Sequence, residues 1–494
     1  MPTTTVNTDD LPPPTGDRHI LAAETELRFE VPHGRGGGKH TTMTTIQLQK
    51  GSCELWGLEL ALHHPYLLSG GMKLALFTWH GCVVDVDTTN SGLDMCYTSE
   101  ETAANIAFIN THAQLEVMRD AAAVVSLSSS QTNSSSDTIN NVNDDVSSTE
   151  GPRVLIAGPP ESGKSSLAKV LIAYATKLGR TPLWVDLDPA DNSLCIPGTL
   201  TAVPVSSAAI SIQSYASTGL SPAGNGASPP LVLWYGSTTL DHTDLYKAQV
   251  SALATKIDAR LKNDSNTRTS GLIVNTNGWI EEEGYQLVLH TIDTMRINVI
   301  LVMGHDRLYS MLQSHIQKKN AGTMKVIKLP RSGGVVSRDA TFRRHSRSLS
   351  MKRYFHGDMI LSLPSSSGSH PVPQLTPFLA HVAFQDVTVY RLSSVALSAS
   401  MLPLAATQAT DSVEVTVVPS SSWTEHAVWA VCHPIAVQAY GTSQRAQALY
   451  ETGVAGFVTV DRIVQDSEQL HLLCPCAGIL PSHVFIVGDI TWME

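Results

Sequence analysis

Short apolar runs recur through the middle of the chain, at 154–157, 181–186, 231–235, 271–274 and 298–303. Most are followed by a stretch with the three-to-four residue apolar period of an amphipathic helix, at 167–178, 244–261, 284–295 and 307–318. Buried strands alternating with helices predict βαβ units and a parallel sheet, with 325–329 as the last strand. On the N-terminal side the period changes to two. Runs at 26–31, 45–50, 53–60, 66–68, 73–79 and 82–86 read as closely spaced strands of a small β-sandwich or barrel. Residues 102–110 read as one further strand and 111–123 as a helix. Beyond the middle, strands at 387–391, 413–418, 456–460, 471–473 and 484–487 predict a third, mostly β domain. The fold class is α/β and multidomain.

Composition places the boundaries. Residues 1–19 read as a disordered tail, 20–125 as the N-terminal β domain and 126–150, rich in Ser, Asn, Asp and Thr, as a low-complexity linker. The central domain spans 151–353, with a Ser/Gly/Ala-rich insertion at 217–228, and 354–494 forms the C-terminal domain with a loop at 365–368. A Gly-rich turn at 34–38 separates the first two strands. At 494 residues the chain exceeds what one core supports. Its net charge of −11 rules out nucleic-acid binding through the average field, so such contact needs a local patch. The one dense basic stretch is 331–353. The seven cysteines are scattered and odd in number, and the histidines show no metal-ligand spacing, which points to free thiols and against a zinc site. No apolar leader and no run of membrane-spanning length is present, so a soluble protein of the cytoplasm or nucleus is expected.

The segment from Gly158 to Ser165 carries the chemistry: Gly-Pro-Pro-Glu161-Ser162-Gly163-Lys164-Ser165, between an apolar strand and a helix. This is a phosphate-binding loop in the context it requires. Its backbone N–H groups and the helix N-terminus face a polyphosphate, Lys164 reaches the terminal phosphates and the Ser165 hydroxyl holds magnesium. A carboxylate at the end of a neighbouring strand completes a magnesium site, and Asp188 is the candidate, with Asp191 three residues on. Arg338 and Arg343, after the pair Gly333-Gly334, could form a lid that neutralises the migrating phosphoryl charge, or a solvated docking face. Trp279, after a strand end, is placed either to stack on a base or to fill core. By spacing alone Glu26 and Lys73 are surface charges.

These segments resemble the polyribonucleotide 5′-hydroxyl kinase family, whose eukaryotic member is a subunit of the pre-mRNA cleavage and polyadenylation machinery. The resemblance rests on Glu24-Thr-Glu-Leu-Arg-Phe-Glu, Phe77-Thr-Trp-His-Gly-Cys, the phosphate loop, Ile196-Pro-Gly-Thr, Tyr235-Gly-Ser-Thr-Thr, Asn275-Thr-Asn-Gly-Trp279, Ser332-Gly-Gly-Val-Val-Ser-Arg338 and Val454-Ala-Gly-Phe. It implies an N-terminal β-sandwich, a central P-loop domain and a C-terminal α/β domain, with ATP between the first two and Mg2+ as its companion. It also implies that Glu26, Lys73 and Glu161, Ser162, Gly163, Lys164, Ser165 and Ser166 bind ATP, that Trp279 stacks on RNA, and that Arg338 and Arg343 are lid arginines. Candidate partners are other subunits of the cleavage and polyadenylation complex, an RNA 5′ end and the tRNA-splicing endonuclease, in the nucleus and with no membrane. One departure stands out. Active kinases of the family continue the strand acid as Asp-x-Gly-Gln, whereas this chain has Asp188-Pro-Ala-Asp191, which is similar to fungal members that bind ATP without kinase activity. Two functions follow: an ATP-dependent kinase of RNA 5′-hydroxyl ends, with Asp188 or Asp191 as base, or a structural subunit in which ATP wedges the domains together. A regulatory GTPase is disfavoured because no Asn-Lys-x-Asp guanine-reading motif appears.

Overall fold

A computed structural model describes residues 11–14, 16–31, 43–88, 93, 95–132, 149–217, 228–319, 324–357, 359–361, 371–373, 375–394, 413–438 and 442–493. The Gly-rich turn at 34–38, the loop at 365–368 and most of the 126–150 and 217–228 segments lie outside them.

The first unit contains β1 (Asp17–Leu21), β2 (Thr25–Glu30), β3 (Met43–Gly51), β4 (Glu54–Leu55), β5 (Leu58–Glu59), β6 (Pro65–Ser69), β7 (Lys73–Thr78), β8 (Cys82–Thr88) and β9 (Met95–Ser99). They form two sheets, in the orders β1-β8-β3-β6 and β5-β4-β7-β2-β9. Alternate side chains, among them Leu27, Phe29, Leu76, Ile46 and Val84, meet between the sheets, so the unit is a sandwich. Strand β1 begins inside the segment that composition reads as tail, because Asp17–Leu21 pairs with β8 and Arg18 bonds Asp85 at 2.7 Å. The 53–60 run is not one strand. Trp56 and Gly57 both take positive φ, 49° and 82°, which makes a two-residue hairpin turn between β4 and β5.

The strand expected at 102–110 is helical. Helix α1 (Ala103–Thr132) begins there, and it continues past the point where the linker was expected to start. Ala104, Phe108, Leu115 and Ala122 fall on one helical face and are buried. Over nine residues an apolar period of two is easily confused with a helical one, and packing against the central domain decides between them.

The central unit holds β10 (Arg153–Ala157), α2 (Lys164–Lys177), β11 (Leu183–Asp186), β12 (Thr199–Pro204), α3 (Ile212–Ser217), β13 (Leu231–Trp234), α4 (Thr243–Asn263), α5 (Ser265–Ser270), β14 (Leu272–Asn275), α6 (Glu282–Thr294), β15 (Val299–Met303), α7 (Asp306–Lys318), β16 (Lys325–Leu329) and α8 (Ala340–His356). The sheet order is β13-β12-β11-β14-β10-β15-β16. From β11 to β16 neighbouring strands are parallel, while β12 and β13 are added antiparallel. The apolar side chains of β10 and β15 are buried on both faces, each worth about 1.5–3 kcal/mol.

The third unit has a sheet of seven strands drawn from Phe378–Ala383, Thr388–Ser394, Val413–Val417, Ala427–Cys432, Val454–Val464, Gln469–Cys474 and Val484–Thr491. Helix α8 ties it to the rest. Phe355 stacks on Trp492 at 5.0 Å, and the Phe457 N–H donates to Tyr354 Oη at 2.9 Å.

A candidate nucleotide-binding cleft

Strand β10 delivers the chain into the phosphate loop. Gly163, at φ 93°, ends the loop and caps α2 without any side-chain hydrogen bond. The first-turn N–H groups of α2 are therefore left for an external acceptor. Position 158 tolerates little besides glycine: a Cβ there would lie 2.9 Å from Ser162 Oγ and 3.0 Å from Met303 Cβ. Lys164 is 6% exposed, and its Nζ donates to Gly158 O at 3.0 Å and Pro159 O at 2.8 Å. Burial pulls it down to about 8, against the opposing pull of Asp188 and Asp186.

The carboxylates divide their work. Asp186 is fully buried and accepts from Asp188 N at 3.1 Å, Ser193 N at 2.9 Å and Asn275 Nδ2 at 3.0 Å, so it anchors the loop after β11. Asp188 lies beyond the strand end and is half-buried in the cleft. Burial first, then Asp186 and Asp191, push it up to about 7. Ser165 Oγ accepts from Asn275 Nδ2 at 3.2 Å, while the buried Asn275 Oδ1 has no hydrogen-bond partner among the described residues. Ser165 and Asp188 thus present oxygen donors in the cleft beside the phosphate loop, with Asn275 orienting Ser165 from behind, a set that suits a hard divalent cation such as Mg2+. No group of three or more His, Cys, Asp or Glu side chains among the described residues could hold a metal by itself.

The cleft has a volume of about 1160 Å3 and adjoins a smaller cavity of about 140 Å3 between the sandwich, α1 and α2. Glu26 lines the smaller one. It is 4% exposed, not a surface charge, and its two oxygens accept from Arg28 Nε at 2.9 Å and Asn105 Nδ2 at 2.6 Å. Lys73 is half-buried, pairs with Glu30 at 2.9 Å and sits 5.2 Å from the centre of the Phe342 ring. The hairpin turn packs against α2, where a Cβ on Gly57 would meet Tyr174 Cε1 at 3.0 Å. Lys169, over one turn nearer the start of α2, lies over the Trp56 ring at 4.6 Å and donates to Tyr215 O at 2.9 Å.

The basic stretch crosses the mouth of this cleft. Its glycines permit close approach: a Cβ on Gly333 would be 2.4 Å from Glu101 Oε2, and one on Gly334 would be 3.0 Å from Arg28 Nε. Next, the Arg338 N–H donates to Glu161 Oε1 at 2.8 Å and its guanidinium to Asp191 Oδ2 at 3.1 Å. Arg343 lies 3.8 Å from Glu161, and Arg347 Nε donates to Ala190 O at 3.0 Å. The Arg338 backbone N–H foremost, with Ser337 and the charges of Arg343 and Arg338, holds the Glu161 carboxyl below its usual range. On the far wall Trp279 is 37% exposed and lines the cleft, next to the loop, since Gly278 packs on Pro160.

All the candidates named from the sequence therefore converge on one cleft and its side cavity. Sequence reasoning gave no role to Asn275, Asn105, Trp56, Phe342 and Arg347. Phe342 and Arg347 lie in the basic stretch it singled out, and Asn275 had a legible signal in its place at a strand end beside Asp186, with which it is in register.

Three family models match the chain. Residues 20–122 match the N-terminal beta-sandwich domain of polyadenylation factor, 158–357 the mRNA cleavage and polyadenylation factor CLP1 P-loop, and 375–494 the Pre-mRNA cleavage complex II protein Clp1. The Protein CLP1 homolog of Dictyostelium discoideum is 34% identical over 472 residues, covering 95% of this chain and 88% of that protein. The human Polyribonucleotide 5'-hydroxyl-kinase Clp1 is 29% identical over 488 residues, 98% of each chain. Among solved structures, the Clp1p chain of a Clp1p–Pcf11p complex superposes with a TM-score of 0.72 at 20% identity, covering 97% of this chain and 99% of that one, a likeness of fold. With all three domains matched in order and near-complete coverage at that identity, the chain belongs to the Clp1 family of pre-mRNA cleavage factor subunits.

Proposed function

We propose that this chain is an ATP-binding subunit of the nuclear pre-mRNA 3′-end cleavage and polyadenylation machinery. The observation that carries the reading is the junction of the phosphate loop with the cavity built by Glu26 and Lys73. A nucleotide held there has its phosphates on one domain and its base on another, so binding couples the two. In this reading Glu161 to Ser166 cradle the phosphates, Lys164 neutralises them, and Ser165 and Asp188 hold Mg2+. The names of the relatives support the assignment, and a complex with Pcf11p among the solved neighbours supports other cleavage-factor subunits as partners. Among the described residues no helix is long and apolar enough to cross a membrane.

The same cleft has the parts of an RNA 5′-hydroxyl kinase, for which ATP supplies a transferable γ-phosphoryl group. Asp188, which lines the cleft beside the phosphate loop, is the candidate to accept the proton of a 5′-hydroxyl as its oxygen bonds to phosphorus and ADP departs. Asp191 is the weaker base candidate because Arg338 holds it. Trp279 offers a face for the terminal base, and Arg338 and Arg343 offer charge for the migrating group. The second reading, ATP as a permanent structural wedge, is favoured by one specific feature: Asp191 draws Arg338 toward itself. Labelled ATP with 5′-hydroxyl RNA separates the two, alongside analysis of the nucleotide released when the purified protein is denatured. Transfer abolished by Lys164→Ala establishes the kinase; co-purified ATP with no transfer establishes the wedge. Absence of both refutes the site.

A further inference from the structure

Arg338 is held at three points. Its backbone N–H is bonded to the phosphate-loop residue Glu161, its guanidinium lies 5.5 Å from the Phe342 ring, and that guanidinium donates to Asp191 at 3.1 Å. The backbone bond keeps the residue beside the loop whatever the side chain does. The guanidinium, 41% exposed, need only rotate to leave Asp191, which is 59% exposed. Both side chains line the cleft that holds the phosphate loop.

We propose that Asp191 is a specificity-determining residue that competes with the third phosphate of the nucleotide for the Arg338 guanidinium, and so weakens the discrimination of ATP from ADP. The inference rests on the nucleotide-site reading given above. The guanidinium is always charged, and a single nitrogen, Nη1, reaches Asp191; turning the fork to grip a phosphate edge with two nitrogens draws Nη1 off that carboxylate. ADP lacks the terminal group and can leave the Asp191–Arg338 pair intact. ATP gains the guanidinium only by breaking the pair. An exposed ion pair contributes little, so the effect on discrimination is modest, about 3- to 5-fold.

The test measures dissociation constants for Mg-ATP and Mg-ADP by calorimetry at one fixed salt concentration, on the full chain freed of nucleotide. Four proteins are compared: wild type, Asp191→Asn, Arg338→Ala and the double variant. Asn keeps the size of the side chain, and its exposed position makes misfolding easy to exclude by circular dichroism. The expected result is that Asp191→Asn raises the ADP-to-ATP ratio of dissociation constants about 3- to 5-fold, and that the rise disappears in the Arg338→Ala background. An unchanged ratio overturns the inference while leaving the nucleotide site intact. An equal rise in the Arg338→Ala background also overturns it, because Asp191 then acts by direct repulsion of phosphate. If wild type binds neither nucleotide, the reading of the site fails and the inference fails with it.

Discussion

Asp188 stores unfavourable electrostatics that a neutral isostere should release. Replacing it by Asn in the nucleotide-free, metal-free protein keeps the shape and the acceptor for Ala190 N, which bonds Asp188 Oδ1 at 3.0 Å. Folding moves this carboxyl from its ordinary 3.8 up to about 7. The native state therefore binds the proton more tightly than the unfolded chain, and stability falls as pH rises from near 4 through 7, then levels off. The full displacement corresponds to about 4 kcal/mol. Because the carboxylate faces a water-filled cleft and lies near Lys164, about half of that, ~2 kcal/mol, is the working value. At pH 3, below both values, the carboxyl is protonated in the folded and the unfolded chain alike and the substitution should be nearly neutral. At pH 8 it should raise the melting midpoint by about 5 °C for a unit of this size. Differential scanning calorimetry of both proteins with a chelator at the two pH values provides the comparison. An equal shift at both pH values, or a loss of stability at pH 8, would refute the reasoning.

Three further outcomes are expected. Phosphate transfer, where present, should fall by about 100-fold or more in Asp188→Asn, which removes the carboxylate assigned to Mg2+ and to the proton; a variant that transfers phosphate at the wild-type rate would remove Asp188 from both roles. Gly57→Ala puts a side chain at φ 82° against Tyr174 and should cost about 1–3 kcal/mol, read as weaker docking of the sandwich on α2 and faster nucleotide release in a fluorescent-analogue chase. Phe355→Ala removes a ring with 0% exposure from its stack on Trp492 and should cost about 3–5 kcal/mol, seen as selective proteolysis of the C-terminal unit.

Much of this protein is legible in its residues taken in order. The alternation of continuous apolar runs with helical periods sets the parallel central sheet, because strands covered on both faces need apolar side chains at every position. The period-two runs set the sandwich for the converse reason. The phosphate loop is legible because glycines, lysine and serine at that spacing answer a local geometric demand. What the order of residues left open depended on partners distant in sequence. Residues 102–110 fit either period, and only packing against the central domain makes them helical. Glu26 reads as an ordinary charge until Arg28 and Asn105 are brought to its oxygens and the sandwich closes over it. Trp56 carries no motif and Phe342 stands in the basic stretch without a role of its own, yet one covers Lys169 and the other lies between Lys73 and Arg338. Asp191 showed itself in sequence as an acid three residues past Asp188 and as a departure from a pattern; the tertiary structure gave it a partner. Local chemistry determined the elements and the loop, since hydrogen bonding and side-chain period act over a few residues. The cleft was decided by tertiary structure, since its charges acquire their strength only where burial lowers the dielectric and distant elements supply the opposing group.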